Sequence, residues 1–353
     1  MISSLSIGAT IRDTYTVLEK LGEGAFSEVY LARHKYLGLQ AIKIFKANSP
    51  NPTSDQFREA FLLSRIAHPN IIRIFEANRI TDSGPARSYV TMEYAAGGTL
   101  YSYLQANAPL PIEKAIDFGK QICGGLAAAH SQKPPIIHRD IKPQNIVVTT
   151  NESEVVLKLA DFGLAKNIDP KLRMVSAAGT LLYMPPEGFH NYQTPASDVY
   201  SAGIILYEML TGRFPFEPVD FTDEQQFRLG LAKTRAKVPE PPSAVAKNVQ
   251  PWLDEVCMRA LQPDISKRFP SAVEFLGSLD ITTKSSVAQN PVASSKETRE
   301  SSLQKVREAV SLSGQYAELP RAINLMEQAL AENEELRHKY GPILDKWKSG
   351  VVL

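Results

Sequence analysis

The run His138-Arg139-Asp140-Ile141-Lys142-Pro143-Gln144-Asn145 constrains this chain more than any other feature. It sets an acid, a base and an amide in one short loop, between a helical pattern and the strand-like Ile146–Val148. Asp140 can accept a hydroxyl proton there, and Asn145 offers an oxygen to a hard cation. Asp161-Phe162-Gly163 follows at the end of a second strand, Val155–Ala160. A carboxylate before glycine is common in isolation. After this loop it acquires a use, because Asn145 and Asp161 together can hold Mg2+ against the phosphates of ATP.

A phosphate site needs more than a metal. Upstream, Gly22-Glu23-Gly24-Ala25-Phe26-Ser27-Glu28-Val29 lies between two predicted strands. Glycine lets a backbone turn approach phosphate oxygens closely, although strand–glycine–strand is also the pattern of a plain hairpin. Ser27 stands where the third glycine of a Gly-x-Gly-x-x-Gly pattern would be, and a strand follows where a dinucleotide fingerprint would have a helix. On the next strand, alternation puts Ala41 and Lys43 on one face, with Val29 able to join them beside the glycine turn. A cation at Lys43 can hold phosphates, and Glu59, in the middle of a helical pattern, is its natural partner.

Around these motifs the chain changes character twice. Tyr15–Leu21, Glu28–Arg33, Leu39–Phe45, Ile71–Asn78 and Ser88–Glu93 read as strands, interrupted by one helix capped at Ser54 or Asp55. Beyond Gly98 helical patterns dominate: a long segment from Pro111, a nearly all-apolar Asp198–Thr211, then Trp252–Leu261 and Ser271–Leu279. A small sheet-rich part followed by a larger helical part predicts an α+β architecture. Ser and Thr crowd residues 281–300, which read as a linker. Helix returns over 301–350: Leu303, Val306 and Val310 share a face, as do Ile323, Met326 and Leu330 after Pro320. Tyr340-Gly341-Pro342 is expected to break that pattern before Ile343, Leu344 and Trp347.

The 353 residues carry a net charge of +1, so no global field points to nucleic acid or a membrane surface. Met1–Thr10 lacks the basic start and apolar run of a signal peptide. The longest apolar candidate, Val199–Leu210, falls short of the roughly 18 residues a spanning helix needs and carries Glu208. The two cysteines, Cys123 and Cys257, sit in apolar helical stretches and read as buried free thiols, which suits a reducing, cytoplasmic setting.

In this order, the motifs resemble the eukaryotic-type (Hanks-type) serine/threonine protein kinases, in the compact bacterial style without large insertions. The likeness covers 11–280 and implies the bilobal kinase fold, with a small lobe over 11–93 and a large one over 96–280. It implies ATP and Mg2+ as cosubstrate and cofactor, and a protein as phosphate acceptor. Carried over residue by residue, Lys43 would bind phosphates and pair with Glu59. Leu21, Gly22, Gly24 and Ser27 would cover the nucleotide, and Val29, Ala41 and Val147 would sandwich adenine. Met92 would be the gatekeeper, and the backbone of Glu93 to Ala95 would bond the base. Asp140 would be the catalytic base, with Asn145 and Asp161 on Mg2+. Lys142 would contact the γ-phosphate, as in the serine/threonine subclass, and Gly179-Thr180 would form the substrate-docking loop, Thr180 touching Asp140. Glu187, in Pro185-Pro186-Glu187, would pair with Arg268, and Asp198 would anchor the catalytic loop.

Ser176 is a hydroxyl that autophosphorylation could use to neutralise Arg139, or it is merely a substrate-loop residue. The C-terminal helices are similar to a tetratricopeptide repeat at Gly314-Gln315-Tyr316 and Ala322…Ala329-Leu330, with three extra residues between Tyr316 and Ala322. One such repeat cannot bury its own apolar face, so the kinase domain, a second copy or a partner protein would have to receive it. The alternative to an active kinase is a kinase-fold scaffold acting through that tail; the intact set of Lys43, Asp140, Asn145 and Asp161 argues against it.

Overall fold

Short apolar runs separated by glycine and polar turns form one antiparallel sheet. In the computed structural model, which describes residues 5–24, 26–46, 53–80, 86–151, 154–162, 181–190, 192–217, 219, 224–280, 305–306, 309, 319–332 and 336–348, six strands pair in the order β1-β2-β3-β4-β6-β5. They are β1 (Thr10–Ile11), β2 (Tyr15–Glu23), β3 (Ser27–His34), β4 (Gly38–Phe45), β5 (Ile74–Ile80) and β6 (Arg87–Glu93). Helix α1 (Thr53–Ser64) lies between β4 and β5 in sequence. Strand alternation sorts β4 into two faces. Ile42 and Ile44 join Tyr15, Tyr30 and Tyr89 in one cluster, while Ala41 and Phe45 join Met92 and Ala160 in another, with Val29 and Val147 packed against it. Lys43 shares the second face and is almost fully buried.

The larger part is helical. It comprises α2 (Leu100–Asn107), α3 (Ile112–His130), the hairpin β7 (Ile146–Asn151) and β8 (Glu154–Leu159), then α4 (Pro195–Thr211), α5 (Glu224–Arg235), α6 (Pro242–Val245), α7 (Pro251–Ala260) and α8 (Ala272–Ser278). The apolar run that predicts a buried helix becomes α4, sealed in the core along almost its whole length. Pro195 starts it and Gly212, at φ 67°, ends it in the left-handed conformation that glycine adopts without strain. A Cβ on Gly203 would lie 2.8 Å from the Cβ of Ala260, so glycine is what lets α4 and α7 approach. Cys123 and Cys257 are buried and free, and burial pushes both thiols up. No described helix is long and apolar enough to cross a membrane.

The chain divides into two compact units, Met1–Leu279 and Asp280–Leu353. The second contains α9 (Leu319–Glu332) and α10 (Arg337–Lys348). Ala322, Met326, Ala329 and Leu330 form one stripe of α9 and cluster with Val306, Ala309, Leu336, Leu344 and Trp347. Lys348 and Glu327 add an ion pair of 2.6 Å between the two helices. The expected break at Tyr340-Gly341-Pro342 is not there: α10 runs through Pro342. Proline removes one backbone donor and crowds the preceding turn, but burial of Leu336, Leu344 and Trp347 outweighs that local preference. Leu303, Val310 and Tyr316 lie outside the described residues, as does the linker.

Candidate active site

Two left-handed residues frame the site: Arg139 at φ 69° and Asp161 at φ 59°. Side chains rarely adopt this conformation unless surrounding bonds hold them there. For Arg139 the holder is Asp198 on α4, whose Oδ1 accepts its amide at 2.9 Å and whose Oδ2 accepts the His138 amide at 2.8 Å. His130, closing α3, completes the carboxylate. Its Nδ1 accepts the Ala272 amide at 3.2 Å, so its proton sits on Nε2, 3.0 Å from Asp198 Oδ2.

His138 carries the constraint onward. Burial depresses its imidazole below the usual range, against the pull of Asp198, and keeps the ring neutral. Its Nδ1 faces the Asp140 amide and its Nε2 donates to the Ala160 carbonyl at 3.0 Å, while the ring packs 4.3 Å from that of Phe162. The loop with Asp140 and the turn with Asp161 are thereby tied through one side chain. The β7–β8 hairpin ties them again: Ile146 pairs with Leu159, and the Ala160 amide donates to the Asn145 carbonyl at 2.9 Å.

Asp140 is held by its neighbours. Lys142 Nζ donates to its Oδ2 at 2.9 Å, and Asn145 Nδ2 donates to that oxygen at 2.8 Å and to the Asp140 carbonyl at 2.9 Å. With its amide nitrogen so committed, Asn145 keeps Oδ1 for another ligand. Lys43 Nζ reaches Asp161 Oδ1 at 2.6 Å. Burial alone would raise the Asp161 carboxyl, but the Lys43 ammonium overrides it and leaves the group below its ordinary value. Antiparallel register sets Lys43 opposite Val29 and Ala41 opposite Met92. Glu93 ends β6, forms a 3.1 Å ion pair with Lys158, and leaves Ala95 just beyond the ladder.

Gly24 donates to the Ser27 carbonyl at 2.8 Å, and Leu21 is exposed. A Cβ on Gly22 would meet no atom within 4 Å, so the protein's own packing does not demand glycine there. The side chain of Glu59 lies outside the described residues, and so do Gly163, Ser176, Gly179 and Thr180. The Lys43 partner that is described is Asp161.

Farther out, Arg268 grips Glu187 through two bonds of 2.7 and 2.8 Å, its guanidinium fully buried and lying 4.6 Å from the Tyr200 ring. Ser197 Oγ donates to Glu187 at 2.7 Å while accepting the Thr194 amide, so the pair also fastens the start of α4. Sequence reasoning missed His130, which differs from an ordinary helix-end histidine only through contacts distant in sequence. It also missed Lys158 and Arg235, whose partners no local pattern reveals.

The protein kinase domain family matches residues 15–278. The chain is 34% identical over 281 residues to a probable serine/threonine-protein kinase of Clostridium perfringens, CPE1738, covering 78% of this chain and 39% of that one. It is 32% identical to the probable serine/threonine-protein kinase PknB of Lactococcus lactis, covering 80% and 44%, and 33% identical to the serine/threonine-protein kinase PrkC of Bacillus subtilis, covering 75% and 40%. The matched region thus spans less than half the length of these relatives. Among solved structures, the kinase domain of Mycobacterium tuberculosis PknI superposes with a TM-score of 0.58 at 25% identity, over 78% of this chain and 98% of that one. With the site geometry, these matches show that the chain belongs to the protein kinase family, within its Hanks-type serine/threonine branch.

Proposed function

We propose that this chain transfers the γ-phosphate of Mg-ATP to serine or threonine hydroxyls of proteins. The observation that carries the reading is the convergence of Lys43, Asp161, Asn145 and Asp140 at the junction of the two lobes, tied by His138 and the β7–β8 hairpin. The donor set fits the metal. Asn145 Oδ1 and Asp161 Oδ2 have no protein partner among the described residues, and two hard oxygens leave room for the phosphates and waters that Mg2+ prefers. When bound, Mg2+ supplies neutralisation of the charge on the transferring phosphoryl group.

The chain's own residues do the rest. Lys43 would exchange its bond to Asp161 for nucleotide phosphates. Val29, Ala41, Met92 and Val147 form an apolar wall for the base, and the glycine turn admits phosphate oxygens. Asp140 would accept the hydroxyl proton, oriented by Lys142 and Asn145, and Lys142 would then meet the γ-phosphate. Such catalysis rests mainly on positioning and electrostatics, which a loop fixed by Asp198 supports.

Regulation and placement belong to the same proposal. Arg139 Nε is buried without a partner among the described residues, which supports an anionic partner such as phosphorylated Ser176. The C-terminal unit covers the apolar stripe of α9 with its own residues, against the expectation that an outside surface must receive it; by their likeness to a repeat module its helices would still serve a partner protein or a second copy. The two buried free thiols favour a cytoplasmic setting. The test is incubation with Mg2+ and γ-labelled ATP, followed by site mapping. Label on Ser or Thr that requires Mg2+ supports the reading. No transfer from the full chain or from residues 1–280 would favour a scaffold instead.

A further inference from the structure

Glu23 stands between Gly22 and Gly24 at the end of β2 and is gripped from two sides. Its Oε2 accepts Lys20 Nζ at 2.6 Å, and its Oε1 accepts Lys46 Nζ at 2.6 Å. Lys20 also donates to Glu28 Oε1 on β3 at 2.9 Å. Two ammoniums and two carboxylates therefore join β2, β3 and the end of β4, and the charges of these four groups balance. The Lys20 and Lys46 ammoniums hold the exposed Glu23 carboxyl down to about 2.

A bulge builds this cluster. Strict alternation would put Lys20 and Glu23, three residues apart, on opposite faces of β2. The ladder to β3 slips by one residue at Leu21: Lys20 pairs with Tyr30, but Gly22 pairs with Val29 and Glu23 with Glu28. The extra residue returns Glu23 to the face of Lys20. That face is the one on which Tyr30 and Ile44 pack. The other face leads to the phosphate-binding cation. Gly22 pairs with Val29 and Val29 with Lys43, so one row across three strands runs from the glycine to the ammonium that holds Asp161. Packing does little to fix this strand end. A Cβ on Gly22 would meet no atom within 4 Å, and one on Gly24 would meet only the Ser27 carbonyl, at 3.8 Å.

We propose that Glu23 is a positioning residue for the nucleotide: from the far face of the sheet it staples the glycine segment to β3 and β4 and keeps Gly22 in the row of Lys43. This rests on the kinase reading above, in which that row receives the triphosphate. Charge alone would act in the opposite sense. Neutralising Glu23 leaves the four groups with a net positive charge, which attracts phosphates and tightens Mg-ATP. Loss of the staple instead lowers the population of the binding-competent arrangement and weakens Mg-ATP by the same factor.

The test measures dissociation constants for Mg-ATP and for adenosine by titration calorimetry on the full chain, comparing wild type, Glu23→Gln, Lys46→Gln and the double variant. At about 0.05 M salt, Glu23→Gln should weaken Mg-ATP roughly three- to tenfold and leave adenosine within about twofold of wild type. Lys46→Gln breaks the same staple from its other end, so the double variant should lose less than the product of the two single losses. At about 1 M salt, where screening reaches down to roughly 3 Å, wild type and Glu23→Gln should converge to within about twofold. Unchanged or tighter Mg-ATP binding in Glu23→Gln, an equal loss for adenosine, or a gap that persists at high salt would overturn the assignment. Wild type that binds neither Mg-ATP nor adenosine would instead strike the kinase reading on which it depends.

Discussion

Asp198 holds Arg139 in the left-handed region: its Oδ1 accepts the Arg139 amide at 2.9 Å where φ is 69°. The adjacent oxygen takes the His138 amide and the His130 ring, so a single carboxylate satisfies three donors in the buried floor of the loop. Asp198→Asn keeps the shape but turns an amide nitrogen toward one of those donors. Stability should fall by about 1–3 kcal/mol in denaturant unfolding. Phosphate transfer should fall roughly a hundredfold, because Asp140 rides on the displaced loop. Full activity in this variant would mean that the loop is positioned by something else.

The Arg268–Glu187 pair makes a second prediction, with a pH signature. Arg268→Ala strands the Glu187 carboxylate in a largely buried site and should cost about 3–5 kcal/mol by equilibrium unfolding. Burial pushes the Glu187 carboxyl up, but Arg268 and Ser197 more than offset that, and its folded value lies below the ordinary 4.5. A depressed folded value means the stabilisation is fully present above pH 4.5 and drains away as pH falls toward the folded value. Wild type should therefore lose stability in that acid range more steeply than Glu187→Gln. Parallel acid profiles for the two would contradict the pairing.

Pro342 offers a cleaner local test, since it sits exposed within α10 and interrupts the backbone ladder. Pro342→Ala should restore one hydrogen bond and raise helicity. It should stabilise the C-terminal unit by about 1–3 kcal/mol, read by circular dichroism during thermal unfolding. Destabilisation would show that the proline is required by the helix's surroundings.

The site was legible in the sequence where its chemistry is written in consecutive residues. Asp140, Lys142 and Asn145 share one loop, and Asp161 follows one hairpin later, so the chain's own path brings them together. Strand alternation likewise placed Val29, Ala41 and Lys43 on one face, as the register shows. The Glu187–Arg268 pair joins positions distant in sequence and was reachable only through resemblance to a family. Arg235 left no trace, because its described partners are the Leu182 carbonyl, the hydroxyl of the adjacent Thr234 and the faces of Phe214 and Phe216. Pro342 was misread for the opposite reason: its local preference is strong, and only the packing of Trp347 and Leu344 reveals that it yields.

In the proposed mechanism Asp140 serves the acceptor hydroxyl while Lys43 and Asp161 serve the nucleotide. Single-turnover transfer to a Ser peptide, with Mg-ATP affinity measured in parallel, tests it on Asp140→Asn. The asparagine keeps the shape but cannot take a proton. Mg-ATP affinity should stay within about threefold of wild type while the transfer rate falls by roughly 10²–10⁴-fold. Transfer at the wild-type rate would contradict it, and Asp140 would not be the group that receives the proton.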